Sequence, residues 1–167
     1  MESLILVLGV LGFFIFFLWI FVSFSGAPFE PTNGKNLRRI VKLSKIKKRE
    51  KVADIGSGNG KIVIEFAKKG IESHGFEINP FLVFYSRRKI KKLNLEKKAF
   101  IHFRNFWKQD FSKFNVVIVF QIGYIMEKLE RKLKRELKKG SRVVSNTWKF
   151  PNWKIKKHEG EIYLYEI

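Results

Sequence analysis

The chain has 167 residues, which leaves room for one ordinary domain and a short appendage. It contains no cysteine, so disulfides, thiolate metal sites and cysteine nucleophiles are excluded. Lys and Arg number 34 against 15 Asp and Glu, and the resulting charge of +19 favours phosphate-bearing surfaces without distinguishing nucleic acid from anionic lipid.

The first element is an apolar run over residues 4–24 that contains no charged residue. A helix of about 20 such residues matches the roughly 30 Å hydrocarbon core of a bilayer, so residues 1–25 are predicted to be a transmembrane anchor. A cleaved secretory signal peptide is the alternative, because small residues follow the run. The segment before the run has no Lys or Arg, however, and the run exceeds the usual apolar region of a signal peptide, so an uncleaved anchor is favoured.

A juxtamembrane linker is predicted over residues 26–34, which are rich in proline and glycine, and the main domain is predicted over residues 35–167. The domain begins with a basic flank: Lys35, Arg38, Arg39, Lys42, Lys45, Lys47, Lys48 and Arg49. By the positive-inside rule this flank predicts a single-pass membrane protein whose domain faces the cytoplasm. The flank is either a plain topology signal or, in addition, a contact with an anionic membrane surface.

Helices and strands alternate through the rest of the chain. The first is an amphipathic helix with four residues on one face: Leu37, Ile40, Val41 and Ser44. It is predicted to pack on the domain, with a position on the membrane surface as the alternative. Strands are predicted over 51–55, 72–78, 99–103, 116–120, 142–147 and 161–167, with helices over 61–69, 80–93 and 124–139. This alternation predicts an α/β domain with a parallel sheet, helices on both faces and right-handed crossovers.

The most informative segment is the glycine turn between the first strand and its helix, from Asp54 to Gly60 with the spacing Asp-x-Gly-x-Gly-x-Gly. Glycines let the backbone approach a ligand closely, and the following helix offers unpaired N–H groups. A carboxylate at Asp54 suits a cationic amine and repels a pyrophosphate. Glu77 ends the second strand about 20 residues further on, where a carboxylate can hold a ribose diol. The two acids together indicate a nucleoside ligand with a cationic tail.

This combination resembles the class I S-adenosylmethionine-dependent methyltransferases, in which the stretch from Asp54 to Gly60 is similar to the first motif and Glu77 to the ribose-binding acid. Further segments are similar, in order, to the membrane-anchored protein-lysine methyltransferases known from mitochondria and to their prokaryotic relatives: 28–32, 54–64, 76–80, 86–87, 106–110, 143–145 and 150–153. The mitochondrial members modify the c-ring protein of ATP synthase and the adenine nucleotide translocase. The resemblance covers nearly the whole chain. It implies a Rossmann-like fold, S-adenosyl-L-methionine as cofactor, protein-lysine N-methyltransferase activity and a small integral membrane protein as methyl acceptor.

The resemblance also implies the residues of the site. The methionine part of the cofactor would be held by Asp54, Gly56, Ser57, Gly58 and Gly60, the ribose and neighbouring atoms by Glu77 and Asn79, and the adenine by Asn105, Phe106 and Trp107. Gln121, which is also expected to contact the cofactor, and Tyr124 would lie on the rim of the methyl-acceptor pocket. At this rim the sequence departs from its relatives, which tend to have a proline near Gly123.

Phe106, Trp107, Tyr124 and Trp148 are candidates for an aromatic wall that desolvates the acceptor amine, with core packing as the alternative for each. The three histidines lack metal-ligand spacing, so no metal site is expected. Other functions stay open on sequence alone. Methylation of a lipid or quinone would suit the anchor, whereas methylation of RNA would suit the charge but not the anchor, so nucleic acid is not expected as a partner. A non-catalytic basic membrane scaffold would require a dead cofactor site.

Overall fold

The computed structural model describes residues 7–17 and 32–167. The helices are α1 (residues 7–17), α2 (Gly34–Ser44), α3 (Lys61–Lys68), α4 (Pro80–Lys92) and α5 (Met126–Glu136), with short 3-10 helices at Phe106–Lys108 and Gly123–Ile125. The strands are β1 (Lys51–Ile55), β2 (Glu72–Glu77), β3 (Ala99–Phe103), β4 (Val116–Val119), β5 (Arg142–Asn146), β6 (Lys157–Glu159) and β7 (Ile162–Glu166).

In the described part of the chain, seven strands form one sheet in the order β3-β2-β1-β4-β5-β7-β6. Strands β1 to β5 are parallel to one another, and β7 runs antiparallel to both β5 and β6. The strand order reverses between β1 and β4. Open α/β sheets bind their ligands beyond the carboxyl ends of the strands at such a reversal. The topology therefore places a functional site beyond the ends of β1 and β4.

Helices cover both faces of the sheet because alternate residues of each strand point to opposite sides. On one face, α2 and α3 pack on Val52, Val116 and Ile118, while α3 and α4 cover β3. On the other face, α5 packs on residues such as Ala53 and Val117. Aromatic side chains from loops complete that second layer: Phe111, Phe114, Phe150 and Trp153.

Most predicted elements are confirmed to within two residues, and the differences are informative. The predicted parallel sheet holds for β1 to β5 only, because the chain between β5 and β7 forms the short strand β6 rather than a crossover helix. The helix predicted over 124–139 was too long, since Leu137 has an extended backbone and is buried. On α2 the predicted Leu37, Ile40 and Ser44 are buried together with Leu43, whereas the predicted Val41 is only half-buried.

The predicted transmembrane anchor lies largely outside the described residues. Of residues 1–25, the structure describes residues 7–17, which are helical and carry exposed side chains. Within residues 7–17 and 32–167, no helix has the length and apolar character that crossing a membrane requires. The predicted linker over 26–34 is described only from Thr32 onward.

Candidate active site

The glycine turn at the end of β1 is held against β2 by backbone hydrogen bonds. The N–H groups of Gly56 and Ser57 donate to the Phe76 carbonyl over 2.9 and 3.2 Å. Gly56 has a φ of 71° in the left-handed region, which glycine adopts without steric cost. A Cβ at this position would also collide with the side-chain amide of Gln121. Glycine is therefore required here, and because Gly56 is exposed, a ligand can approach its backbone closely.

Ser57 packs on Gly75, a residue of β2 that was not predicted from the sequence to belong to the site. A Cβ on Gly75 would lie 2.5 Å from the Ser57 Oγ and 2.8 Å from Ile101 Cδ1. A glycine inside a predicted strand is a signal for such a close approach. The Ser57 hydroxyl is buried without a hydrogen-bond partner among the described residues. Such a group costs about 1–3 kcal/mol, which a polar atom of a ligand would offset.

Asp54, the acid at the end of β1, is only 3 % exposed. Burial, together with the negative charge of Glu77, raises the pKa of its carboxyl to about 8. Burial disfavours the charged form, whereas a nearby cation favours it. A cationic group bound beside Asp54 would therefore restore its ionised form, as the sequence predicts for an amine-bearing ligand.

Glu77 is held at the end of β2 by three backbone donors. Its Oε2 accepts from the N–H of Gly58, and its Oε1 from the N–H groups of Ile78 and Asn79, each over 2.8 Å. These bonds fix the carboxyl group across the glycine turn, because hydrogen bonds to carboxylates are short and strong. The Asn79 Oδ1 accepts from the N–H of Phe81 over 3.0 Å and caps α4. Asn79 thus positions the start of α4 beside Glu77, and its contact with a ribose stays a prediction.

The segment after β3 forms a 3-10 turn rather than an open loop. The Asn105 Oδ1 accepts from the N–H of Trp107 over 2.9 Å and caps this turn. The rings of Phe106 and Trp107 lie 4.9 Å apart, half-buried against the core that includes α5. The Lys128 ammonium lies 4.9 Å from the centre of the Trp107 ring. Core packing therefore accounts for part of the contacts that both rings make, and their role as a boundary for adenine stays a prediction.

Gln121 ties the end of β4 to the end of β1. It is buried, and its Nε2 donates to the Ile55 carbonyl over 2.9 Å, directly above Gly56. This bond links the loop after β4 to the glycine turn. The predicted acceptor rim and the predicted cofactor turn are therefore mechanically connected through one side chain.

The predicted aromatic wall is only partly assembled at this rim. The Trp148 ring lies against Gly123, where an added Cβ would be 2.8 Å from the ring, whereas Tyr124 is 81 % exposed. Trp148 is directed there by Thr147, whose φ of 70° is unusual for a β-branched residue and was not foreseen from the sequence. The Ser145 hydroxyl donates to the Trp148 carbonyl over 2.5 Å and closes this turn.

Comparisons by sequence identify one family of methyltransferases. Residues 54–157 match the model of the ANTKMT methyltransferase domain. The chain is 39% identical over 126 residues to the human ATP synthase C-subunit lysine N-methyltransferase, an alignment that covers 75% of this chain and 54% of that protein. It is 34% identical over 150 residues to a protein-lysine N-methyltransferase of Saccharolobus islandicus, covering 84% of this chain and 93% of the archaeal protein. The chain thus spans little more than half the length of the human relative.

Among solved structures, the chain is similar to an RNA methyltransferase from Salinibacter ruber in complex with S-adenosyl-L-homocysteine. The TM-score is 0.76 at 25% sequence identity, and the match covers 81% of this chain and 91% of the other. The Rossmann-like methyltransferase fold implied by the family resemblance is therefore confirmed.

Proposed function

The chain belongs to the ANTKMT methyltransferase domain family, and on this premise we propose that it is an S-adenosylmethionine-dependent protein-lysine N-methyltransferase. One observation carries the proposal furthest, namely a buried Asp54 and a rigidly held Glu77 on either side of a glycine turn. Lysine as the acceptor is supported by the names of the human and archaeal relatives. The similarity to the archaeal protein, over nearly all of its length, supports a catalytic domain over residues 35–167.

The site residues fit the proposed cofactor. S-adenosylmethionine, when bound, supplies an electrophilic methyl group on a sulfonium. The Asp54 carboxyl, whose pKa is raised to about 8, is suited to pair with the amine of the methionine part. The Glu77 carboxyl is suited to accept hydrogen bonds from the ribose hydroxyls, and the unpartnered Ser57 hydroxyl supplies a further polar contact. The remaining proposed contacts are Gly56, Gly58, Gly60, Asn79, Asn105, Phe106, Trp107 and Gln121.

The acceptor side needs desolvation more than acid–base chemistry. A lysine amine has a pKa of about 10.4 in water and must be neutral to attack a methyl group in line. An apolar entry lowers that pKa by disfavouring the ammonium form. Trp148, packed on Gly123, and Tyr124 are the proposed rim of this entry. Gln121 holds the rim at a constant distance from the glycine turn through its bond to Ile55.

The proposal also includes a membrane anchor. The uncharged run over residues 4–24 would form the anchor, with the catalytic domain facing the cytoplasm. The basic flank on and after α2 includes the exposed Lys35, Arg38 and Lys42, which suit an anionic membrane surface. The expected acceptor is a small integral membrane protein with a lysine near the cytoplasmic face of the membrane.

The test uses detergent-purified full-length protein, methyl-labelled S-adenosylmethionine and membranes from a strain that lacks the gene, with Asp54→Asn as the matched inactive control. Label on a lysine of one small membrane protein, absent with the control, would support the proposal. Label confined to the lipid extract would replace it with a small-molecule methyltransferase. Failure to bind S-adenosylmethionine would instead favour the non-catalytic scaffold.

RNA is the second candidate acceptor, favoured by the charge of +19 and by the likeness to the Salinibacter ruber structure. Total RNA added to the same assay tests this candidate. RNA labelling that falls steeply with added salt would support it, because phosphate contacts weaken as counterions are added. Label on protein lysine with none on RNA would exclude it.

A further inference from the structure

The exposed large apolar side chains of residues 32–167 are concentrated at one edge of the sheet. Six of them lie at the carboxyl end of a parallel strand or within the eight residues that follow it: Phe81, Phe84, Tyr85, Phe103, Tyr124 and Trp148. The exception within residues 32–167 is Leu93, at the opposite end of α4. The edge that carries the glycine turn is therefore also the apolar edge of the domain.

Three of these side chains form a patch on α4, which we call the α4 aromatic patch: Phe81, Phe84 and Tyr85. They are 75%, 68% and 53% exposed. Their spacing places them on one helical face, opposite the buried Val83 and Ile90. Single exposed apolar residues are normal, but a contiguous exposed patch marks a surface that contacts a protein or a membrane.

Phe103, at the end of β3, is a further exposed aromatic residue at the carboxyl edge of the sheet. The alternating residues Ala99 and Ile101 pack with α3 and α4, so Phe103 shares that side of the sheet. It is 61% exposed.

Charge changes along the same face of α4. Arg88 and Lys92 follow Phe81 at seven and eleven positions and are exposed. With a rise of about 1.5 Å per residue, Arg88 lies about 10 Å further along the helix axis. Aromatic side chains followed at this distance by basic ones match a bilayer interface, where apolar side chains are buried to a depth of about 5–10 Å and basic ones stay near the anionic headgroups. The order of side chains therefore fits a lipid surface better than an apolar protein groove.

The N-terminal part of the chain enters the domain at the same edge. The Lys61 ammonium, just past the glycine turn, donates to the Thr32 carbonyl over 2.5 Å. The Asn36 side chain donates to the Asn146 Oδ1, at the carboxyl end of β5, over 3.1 Å. Thr32, the first residue of the described domain, therefore lies beside the active site rather than at the opposite edge.

We propose that the α4 aromatic patch docks into the headgroup layer of an anionic lipid bilayer, with the carboxyl edge of the sheet facing the membrane. This orientation brings the acceptor rim to the depth of a lysine at the membrane surface. Its catalytic purpose rests on the proposed function, whereas the docking itself does not. The basic residues Arg88 and Lys92 reach the lipid phosphates while the rings occupy the interface.

The absence of cysteine makes a direct test possible. Full-length Phe84→Cys and Leu93→Cys variants each carry one environment-sensitive fluorophore and are reconstituted into vesicles of phosphatidylcholine with a minority of phosphatidylglycerol. Both positions are exposed and apolar on the same helix, separated by about 14 Å along its axis. We expect a blue shift and quenching by brominated lipid at position 84, and an aqueous spectrum at position 93.

An aqueous spectrum at position 84 in protein that floats with the vesicles would overturn the proposal. Protection at position 84 only when membrane protein is co-reconstituted would also overturn it and assign the patch to a protein partner. Protection at both positions would indicate insertion without the proposed orientation and would contradict it as well.

A second measurement separates docking from catalysis. A triple Phe81→Ser, Phe84→Ser, Tyr85→Ser variant is expected to methylate membrane-embedded acceptor at least about tenfold more slowly while keeping its rate on the same acceptor in detergent. Equal rates in membranes would refute a role for docking. If the unsubstituted protein has no activity on the acceptor either in membranes or in detergent, this would instead count against the proposed methyltransferase function.

Discussion

Replacing Asp54 with asparagine separates a carboxyl that serves a ligand from one that serves the fold. Asparagine keeps the shape of the side chain and removes its charge. In the folded chain the carboxyl is 3 % exposed, and its pKa is raised from 3.8 to about 8 by burial and, to a smaller extent, by the charge of Glu77. A buried acid with this pKa weakens the fold at neutral pH, so its benefit has to come from a ligand.

The magnitude follows from linkage between proton binding and folding. Because the folded state holds the proton more tightly than the unfolded state, the free energy of unfolding falls as the pH rises from 3.8 toward 8 and levels off above that value. At pH 7, which lies about 3.2 pH units above the ordinary pKa of 3.8 and below the folded value, the penalty is about 4 kcal/mol at 1.36 kcal/mol per unit, as an upper limit. Asp54→Asn should remove this penalty, so its stabilisation should grow between pH 5 and pH 8 and vanish near pH 4.

Denaturant unfolding at several pH values measures the stability of each protein. Calorimetric titration measures its affinity for S-adenosylmethionine. The variant should be more stable at pH 7 but bind the cofactor at least about a hundredfold more weakly, because a buried ion pair would be lost. At pH 7 the unsubstituted protein should release close to one proton on binding, seen as a dependence of the heat on the buffer, and the variant should release none.

Asp110→Asn is the matched control for an exposed acid. Its carboxyl accepts hydrogen bonds from the backbone and side chain of Ser112, which lower its pKa, so its stabilising effect is present above the unfolded pKa and lost as the pH falls. The control should therefore destabilise the fold slightly near neutral pH and leave cofactor binding unchanged. If the Asp54→Asn variant is less stable at every pH, or binds S-adenosylmethionine normally, Asp54 does not serve cofactor binding at the expense of stability.

Three further predictions follow from contacts in and near the site. Gly75→Ala should lower the free energy of unfolding by about 1–3 kcal/mol, because its methyl group would overlap the side chains packed against it. Gly34→Ala is the control and should be close to neutral, since there is space for its methyl group. Similar melting temperatures for the two variants would contradict this prediction. Gln121→Leu should lower the free energy of unfolding by about 1–3 kcal/mol and weaken cofactor binding, since the Ile55 carbonyl at the end of β1 loses its buried donor. Unchanged affinity for S-adenosylmethionine in a titration would show that this bond does not support cofactor binding. Burial lowers the pKa of His102, so the fold should lose stability as the pH falls below about 6.5, and His102→Asn should reduce that loss, whereas the exposed His158→Asn should not.

Much of the fold could be predicted from local sequence pattern. The strand over 51–55, the glycine turn and the helix opened by Pro80 each depend on residues that are neighbours in the chain. Strand β6 was missed because its residues are polar and largely exposed, and it exists only through pairing with β7. Its formation depends on where β7 lies, which no local pattern records.

The candidate site divides in the same way. The sequence alone determined the type of ligand, because the spacing from Asp54 to Gly60 and the position of Glu77 are properties of a short segment. Only the tertiary structure decided that Gly75 must accommodate Ser57, that Gln121 bridges two strand ends, and that burial raises the pKa of Asp54. It also decided which apolar residues stay exposed on α4. These features arise from distances between residues far apart in the chain, whereas periodicity and spacing report only on neighbours along it.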